Sequence, residues 1–273
     1  MSKLSGTPLT SSRAFFLVFH GSRDPRTQLA AIRLGKLLTI KFESKNILTQ
    51  QYYRGVDLSF SRSEIVTTIE SPKTPLVEVA ALELTPLSLN KSLVEFALKA
   101  QQKGIQQIKV LPLFLAPGVH VREDIPSEIA LAIKQINSQV TIELSPYIGK
   151  YSGIVPLLSH EFEQLSGESR ILVVHGSRLP EVNYYYQSLT TQLNALTAYW
   201  SVSPSLTQQV TEQIAAGYKK IAILPYFLFP GRITKAIAEE VRTLQSAYPQ
   251  VELILGQPLG ASDTLAELIV GEV

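Results

Sequence analysis

Short continuous runs of apolar residues punctuate this chain, and between them apolar positions recur at helical spacing. Residues 14–19, 76–84, 107–115 and 140–145 are such runs, rich in Val, Ile, Leu and Phe, and they read as strands buried on both faces. Between two of them Leu93, Phe96, Ala97 and Ala100 repeat at i, i+3, i+4 and i+7, with Gly104 placed to end that helix. Asp24 followed by Pro25 predicts a helix start: a capping oxygen, then a residue whose missing N–H is not needed there. The later part of the chain repeats the alternation, with strands expected near 171–174, 198–202, 221–229 and 251–255. Strands and helices in alternation give a parallel sheet covered on both faces.

The repetition is literal as well as periodic. AFFLVFHGSRDPR (14–26) returns as RILVVHGSRLPE (170–181), and KGIQQIKVLPLFLAPG (103–118) returns as AGYKKIAILPYFLFPG (216–231). After these, VTIELSPYIG (140–149) matches VELILGQPLG (251–260). A unit of this size exceeds the 20–50 residues of solenoid repeats and points to a duplicated domain. The expected fold is α/β: two tandem doubly wound parallel-sheet halves, residues 13–165 and 166–273, facing across a cleft, with the boundary near Ser166-Gly167. One length differs. His20 to Glu83 is 63 residues and His175 to the aligned Ser201 is 26, so the first copy carries 37 more. The surplus lies around 43–74, polar, aromatic and turn-rich, and reads as a surface excursion. A lid or an oligomer contact is the sharper alternative.

Composition changes this picture in a few places. A chain of 273 residues suits one large or two ordinary domains, and 45% apolar residues supply ample core. The absence of cysteine removes disulfides, thiolate zinc sites, Fe–S clusters and a Cys nucleophile. Any metal site must use His, Asp or Glu, and there are four His. A net charge of +2 is too small for a general nucleic-acid binder. The opening MSKLSGTPLTSSR has no apolar core, and the first apolar run is too short for a signal peptide or a membrane span, so a cytoplasmic protein without a membrane partner is expected.

Ligands of open parallel sheets bind beyond the carboxyl ends of the strands. Three separate strands deliver a reactive side chain to that rim: His20 after the first, Glu83 after the second, His120 after the third. Imidazole with carboxylate suits a borderline divalent metal, and the same groups serve as general bases near neutrality. Around them lie Ser22 of the HGSR turn and Arg23, Arg26, Arg122, Arg178 and Arg232, which suit a carboxylate- or phosphate-bearing ligand; solvated surface charge is the plainer reading of each arginine. His160 fits a surface helix. His175 heads the second HGSR without partners, because Glu83 aligns with Ser201 and His120 with Ile233. The second copy therefore reads as a degenerate half that keeps the fold and lends a binding wall. Tyr184, Tyr185 and Tyr186 read as packing residues, with contact to a flat apolar ligand as the alternative.

On FHGSRDPR (19–26), VEVAALELTPLSL (77–89) and VLPLFLAPGVHVREDIP (110–126) the chain resembles the sirohydrochlorin chelatases, the class II tetrapyrrole chelatases of siroheme and cobalamin synthesis. The resemblance covers both copies, all but 43–74. It implies a chelatase-like, flavodoxin-like fold and ATP-independent insertion of a divalent metal into an octacarboxylate macrocycle, sirohydrochlorin, with release of two protons. It implies that His20, His120 and Glu83 handle the metal and the pyrrole protons, with the active site in the N-terminal half. The metal is a substrate, Fe²⁺ favoured over Co²⁺ and Ni²⁺, because some cobalt-inserting relatives carry His-rich or Cys-bearing tails and this chain ends ASDTLAELIVGEV. No permanently bound cofactor is expected, and a monomer or homodimer suffices. Two rival readings remain: a tetrapyrrole or metal carrier of the same fold, and a phosphohistidine enzyme. The latter wants Arg before His-Gly, where residue 19 is Phe.

Overall fold

The computed structural model describes residues 13–55, 75–136 and 140–273, and they form two four-stranded parallel sheets flanked by helices. β1 (Arg13–Phe19), β2 (Leu76–Ala81), β3 (Gln107–Pro112) and β4 (Thr141–Leu144) make the first, in the order β2-β1-β3-β4. β5 (Ser169–Val174), β6 (Leu196–Tyr199), β7 (Lys220–Pro225) and β8 (Glu252–Leu255) make the second, in the order β6-β5-β7-β8. It is one topology written twice, and β1 and β5 each lie at the point where strand order reverses. Helices α1 (Pro25–Gly55), α2 (Leu89–Gln102), α3 (Ile125–Gln135) and α4 (Ile154–Leu165) belong to the first stretch of chain. Helices α5 (Pro180–Gln192), α6 (Leu206–Ala215), α7 (Arg232–Ala247) and α8 (Asp263–Glu272) belong to the second.

Both faces of each sheet are apolar, so strands that read as continuous hydrophobic runs divide their side chains between two layers. On β1, Ala14, Phe16 and Val18 meet α2 and α3 in an outer layer, while Phe15, Leu17 and Phe19 face the other way. On β5, Ile171 and Val173 meet α6 and α7, while Leu172 and Val174 join Phe15, Leu17 and Phe19 in one common core. The last helix of each half crosses over to the other. α4 packs on β7, burying Leu158 and Phe162, and α8 packs along α1, where Lys41 bonds Asp263 and Glu267 at 3.0 Å each. The halves thus share an interior. Among the described residues, no helix is long and apolar enough to cross a membrane.

Several boundaries differ from the sequence reading. β3 and β7 stop at Pro112 and Pro225, short of the expected 115 and 229, because proline supplies no N–H to continue a ladder. The apolar residues beyond, such as Leu113, Leu228 and Phe229, are still buried, in the common core. Their hydrophobicity reports burial rather than strand. β2 stops at Ala81 rather than 84, where the chain turns with Leu84 at positive φ, and β6 covers 196–199 instead of 198–202. The surplus near 43–74 opens as helix, since α1 runs on to Gly55 with no Gly or Pro between Gly35 and its end to break it. Residues 56–74 lie outside the described residues.

Candidate functional site

The turn after β1 carries His20 and is shaped by Gly21 at φ +96°. A Cβ at Gly21 would sit 2.1 Å from the Glu83 carbonyl oxygen, so only glycine lets the turns after β1 and β2 close on each other. The closure is fixed by Glu83 N–H donating to the His20 carbonyl at 3.0 Å. His120 arrives from β3 through Pro117-Gly118 and opens a π-turn, His120–Asp124, that leads into α3. Its ring lies edge to face on that of His20, centroids 4.6 Å apart at 83°. His20, Glu83 and His120 each offer a nitrogen or oxygen within 4.8 Å of the others, the one such group of three among the described residues. His20 and Glu83 are exposed and His120 is half-buried near Phe114, so a large ligand could reach all three.

Each imidazole is held by its Nδ1. In His20 this nitrogen lies 3.0 Å from the Gly21 carbonyl, and in His120 it lies 2.7 Å from Asp124 Oδ2. Both partners are acceptors, so in the neutral form of each ring the hydrogen sits on Nδ1 and the lone pair on Nε2. Glu83 Oε1 is 4.0 Å from His120 Nδ1, too far for a hydrogen bond, so that nitrogen is left to Asp124. Asp124 was not singled out in the sequence; its place four residues after His120, one helical turn along, was the available signal.

The arginines divide by what they already hold. Arg26 is committed to Asp24, through Nη2 at 2.6 Å and Nε at 3.0 Å, and this pairing holds the Asp24 carboxyl down at about 2. Arg122 reaches across the halves to Glu181 at 3.0 Å. Arg23 and Arg26 of the first half and Arg232 of the second line one open hollow of about 530 Å³. Arg178 is exposed on the turn after β5. Ser22 Oγ accepts from Asp24 N–H at 3.0 Å and also borders a cleft of about 370 Å³ beside Leu84, Thr85 and Pro86. Neither hollow is lined by the three-residue cluster, though both begin at its neighbours in the chain. The carboxyl-end loops of the halves also meet where Thr27 Oγ1 donates to the Pro230 carbonyl at 3.1 Å.

The second half copies the frame without the cluster. His175 Nδ1 sits 2.9 Å from the Gly176 carbonyl, and Ser201 N–H donates to the His175 carbonyl at 3.0 Å, as Glu83 does to His20. Ser201 replaces the carboxylate, and α7 starts directly at Arg232 with Ile233 where alignment puts His120. His160 is exposed on α4. Of the three tyrosines, Tyr184 is exposed and Tyr186 is buried in the common core. Tyr185 ties the halves together, donating to the Gly149 carbonyl at 2.8 Å and pairing with the Tyr226 hydroxyl at 3.0 Å.

Comparison with known proteins agrees with the duplication. The pattern of the CbiX family matches residues 61–165 and, a second time, 169–273. The first match begins after α1, so His20 lies outside it. A sirohydrochlorin ferrochelatase of Priestia megaterium is 27% identical over 212 residues, 73% of this chain and 77% of that protein. A sirohydrochlorin cobaltochelatase of the same organism is 27% identical over 184 residues, 61% of this chain and 60% of that one. The fold is shared with the cobalt complex of the sirohydrochlorin chelatase SirB from Bacillus subtilis subspecies spizizenii, at a TM-score of 0.65 and 22% identity over 96% of this chain and 94% of that one. With both repeats matched and both sheets in the same order, the chain belongs to the CbiX family and carries the family's unit twice.

Proposed function

We propose that this protein is a sirohydrochlorin chelatase, which inserts a divalent metal ion into the macrocycle without ATP and releases two protons. Fe²⁺ is the favoured metal, with Co²⁺ the alternative. The observation that carries this reading is the His20–Glu83–His120 cluster, delivered by three strands to an open edge of the sheet. Two pyrrole N–H protons must leave as a 2+ ion enters, so the site needs weak ligands for the ion and acceptors for the protons, side by side. Two neutral imidazoles and a carboxylate provide both. The ring's peripheral carboxylates would be held by the arginines: Arg23 and Arg232 first, since they face the same hollow from opposite halves, then the exposed Arg178, and Arg122 and Arg26 by exchange with their present partners, with the Ser22 hydroxyl nearby. Such clamps orient the macrocycle over the cluster. In this division of labour residues 13–165 do the chemistry, and 166–273 complete the cleft as a degenerate half.

The test is to incubate purified protein anaerobically with sirohydrochlorin and Fe²⁺, Co²⁺ or Ni²⁺ in turn, following the absorbance of the ring. The expected outcome is metal insertion well above the protein-free rate, fastest with Fe²⁺. A carrier of the same fold would bind the ring and leave the rate at background, and that result would overturn the proposal.

A further inference from the structure

The turn that carries His120 differs from its counterpart by one residue. Pro117-Gly118 and Pro230-Gly231 are equivalent in the two halves. So are the buried faces of the helices that follow, Ile125, Ile129 and Ala132 on α3 against Ile237, Val241 and Leu244 on α7, with the same spacing. From Gly118 to Ile125 is seven positions and from Gly231 to Ile237 is six, so the first half holds one residue more. The extra residue is absorbed as the π-turn, in which Ile125 N–H reaches back to the His120 carbonyl. π-turns are rare, and single ones occur frequently at functional sites.

We infer that Asp124 is a positioning residue, brought to His120 by this one-residue insertion, which fixes the Nδ1–H tautomer and thereby makes Nε2 the nitrogen that takes a metal ion or a proton. The contact is short, 2.7 Å, as expected of a hydrogen bond to a carboxylate. Glu83, at 4.0 Å from the same nitrogen, does not compete for it. The corresponding bond in His20 goes to the Gly21 carbonyl, and His175 makes the same bond to Gly176, so that device belongs to the fold. The carboxylate lock does not: the residue before Ile237 is Ala236, which offers no acceptor. A carboxylate behind a ligating imidazole raises its basicity and fixes its direction, and both assist an ion that must be held loosely and then passed on.

The inference rests on reading His20, Glu83 and His120 as the working cluster, so its test has a part that needs no turnover. Histidine ¹⁵N spectra of the metal-free protein in mildly alkaline buffer report the tautomer of each ring, with the four histidines assigned by single His→Ala changes. Wild-type His120 is expected as Nδ1–H, and Asp124→Ala should convert it to a mixture or to Nε2–H. In the insertion assay Asp124→Ala should lower kcat roughly 10- to 100-fold, with KM for sirohydrochlorin nearly unchanged. Asp124→Asn, which can still accept the hydrogen bond, should recover part of the loss. A wild-type ring carrying its hydrogen on Nε2, a tautomer indifferent to Asp124→Ala, or a kcat indifferent to it would overturn the inference. A wild-type protein that inserts no metal would overturn the proposed function instead, while the spectra still decide the tautomer.

Discussion

At the carboxyl edge of the first sheet, His20, Glu83 and His120 stand within ligand reach of one another; at the same edge of the second, the corresponding positions are His175, Ser201 and Ile233. The backbone beneath them is the same. Each turn holds its histidine Nδ1 on the next carbonyl, and each is tied to the neighbouring strand's turn by one N–H to the histidine carbonyl. Packing is also even-handed, because β1 and β5 give their inner faces to a single core and each half's last helix lies on the other half. At the cluster itself the difference comes down to two side chains and one inserted residue. On the proposed function, a duplicated fold keeps its chemistry in one copy while the packing of each copy continues to depend on the other.

The largest effect is expected where the halves are alike. Phe162 lies on α4, fully buried, with the Arg170 guanidinium 5.6 Å above its ring, and it contributes to the core both sheets share. Phe162→Ala should cost about 3–5 kcal/mol, the usual range for an emptied aromatic site. The loss should appear as one cooperative urea transition. Trp200, the sole tryptophan, reports from the second half, whereas far-UV circular dichroism reports from both. Coincident transitions are expected, and two separate ones would break the picture of a shared interior.

Next come the histidines, where the halves should part. His20→Ala or His120→Ala should lower metal insertion on the order of a hundredfold or more, as expected for loss of an acid–base or ligand group. His175→Ala should stay within a few-fold. If a folded His175→Ala protein proves as damaged as His20→Ala, the site spans both halves and the assignment to the first is wrong. Glu83→Gln should be milder, roughly tenfold in rate, because both imidazoles remain as acceptors. Its affinity for sirohydrochlorin, titrated without metal, should hardly move.

Much of this was legible in the chain, and the reasons for the gaps are physical. Continuous apolar runs marked the inner strands, such as β1, β5 and β7, since strands of a doubly covered sheet are buried on both faces, and the repeated HGSR marked where each sheet's rim lies. His20, Glu83 and His120 were readable as neighbours because each follows a strand at that rim. Strand ends were less legible: Leu113 and Phe229 are apolar because they enter the common core, and nothing local separates that from strand pairing. The Asp124 contact was hidden for a different reason. A simple alignment pairs Asp124 with Ile237, and only the burial of Ile125 and Ile237 in equivalent places reveals that the register slips by one inside the turn. Which arginines stay available was also out of reach, since Glu181, the partner of Arg122, comes from the other half.

The smallest effect concerns the residue that precedes α1, which is Asp24 where the second half has Leu179. Asp24 Oδ1 accepts from Arg26 N–H at 3.0 Å, capping the helix, and the same carboxylate takes the Arg26 guanidinium. Leu179 has no side chain to do either. The Arg26 side chain and backbone N–H, with Arg232 of the other half adding its charge, lower the Asp24 carboxyl from 3.8 to about 2. A lowered folded-state value means that the stabilisation is fully present above about pH 4 and is lost as the pH falls through about 2. Compared with Asp24→Asn, the wild type should therefore unfold at higher urea by a margin that is constant from neutrality to about pH 4 and then closes toward about pH 2. Because Arg26, the partner that holds the carboxylate, is itself half-exposed, the margin should be small and should shrink with added salt. A margin that persists undiminished at about pH 2 would mean that Asp24 acts through its shape and not its charge, and the two helix starts would then differ less than their residues suggest.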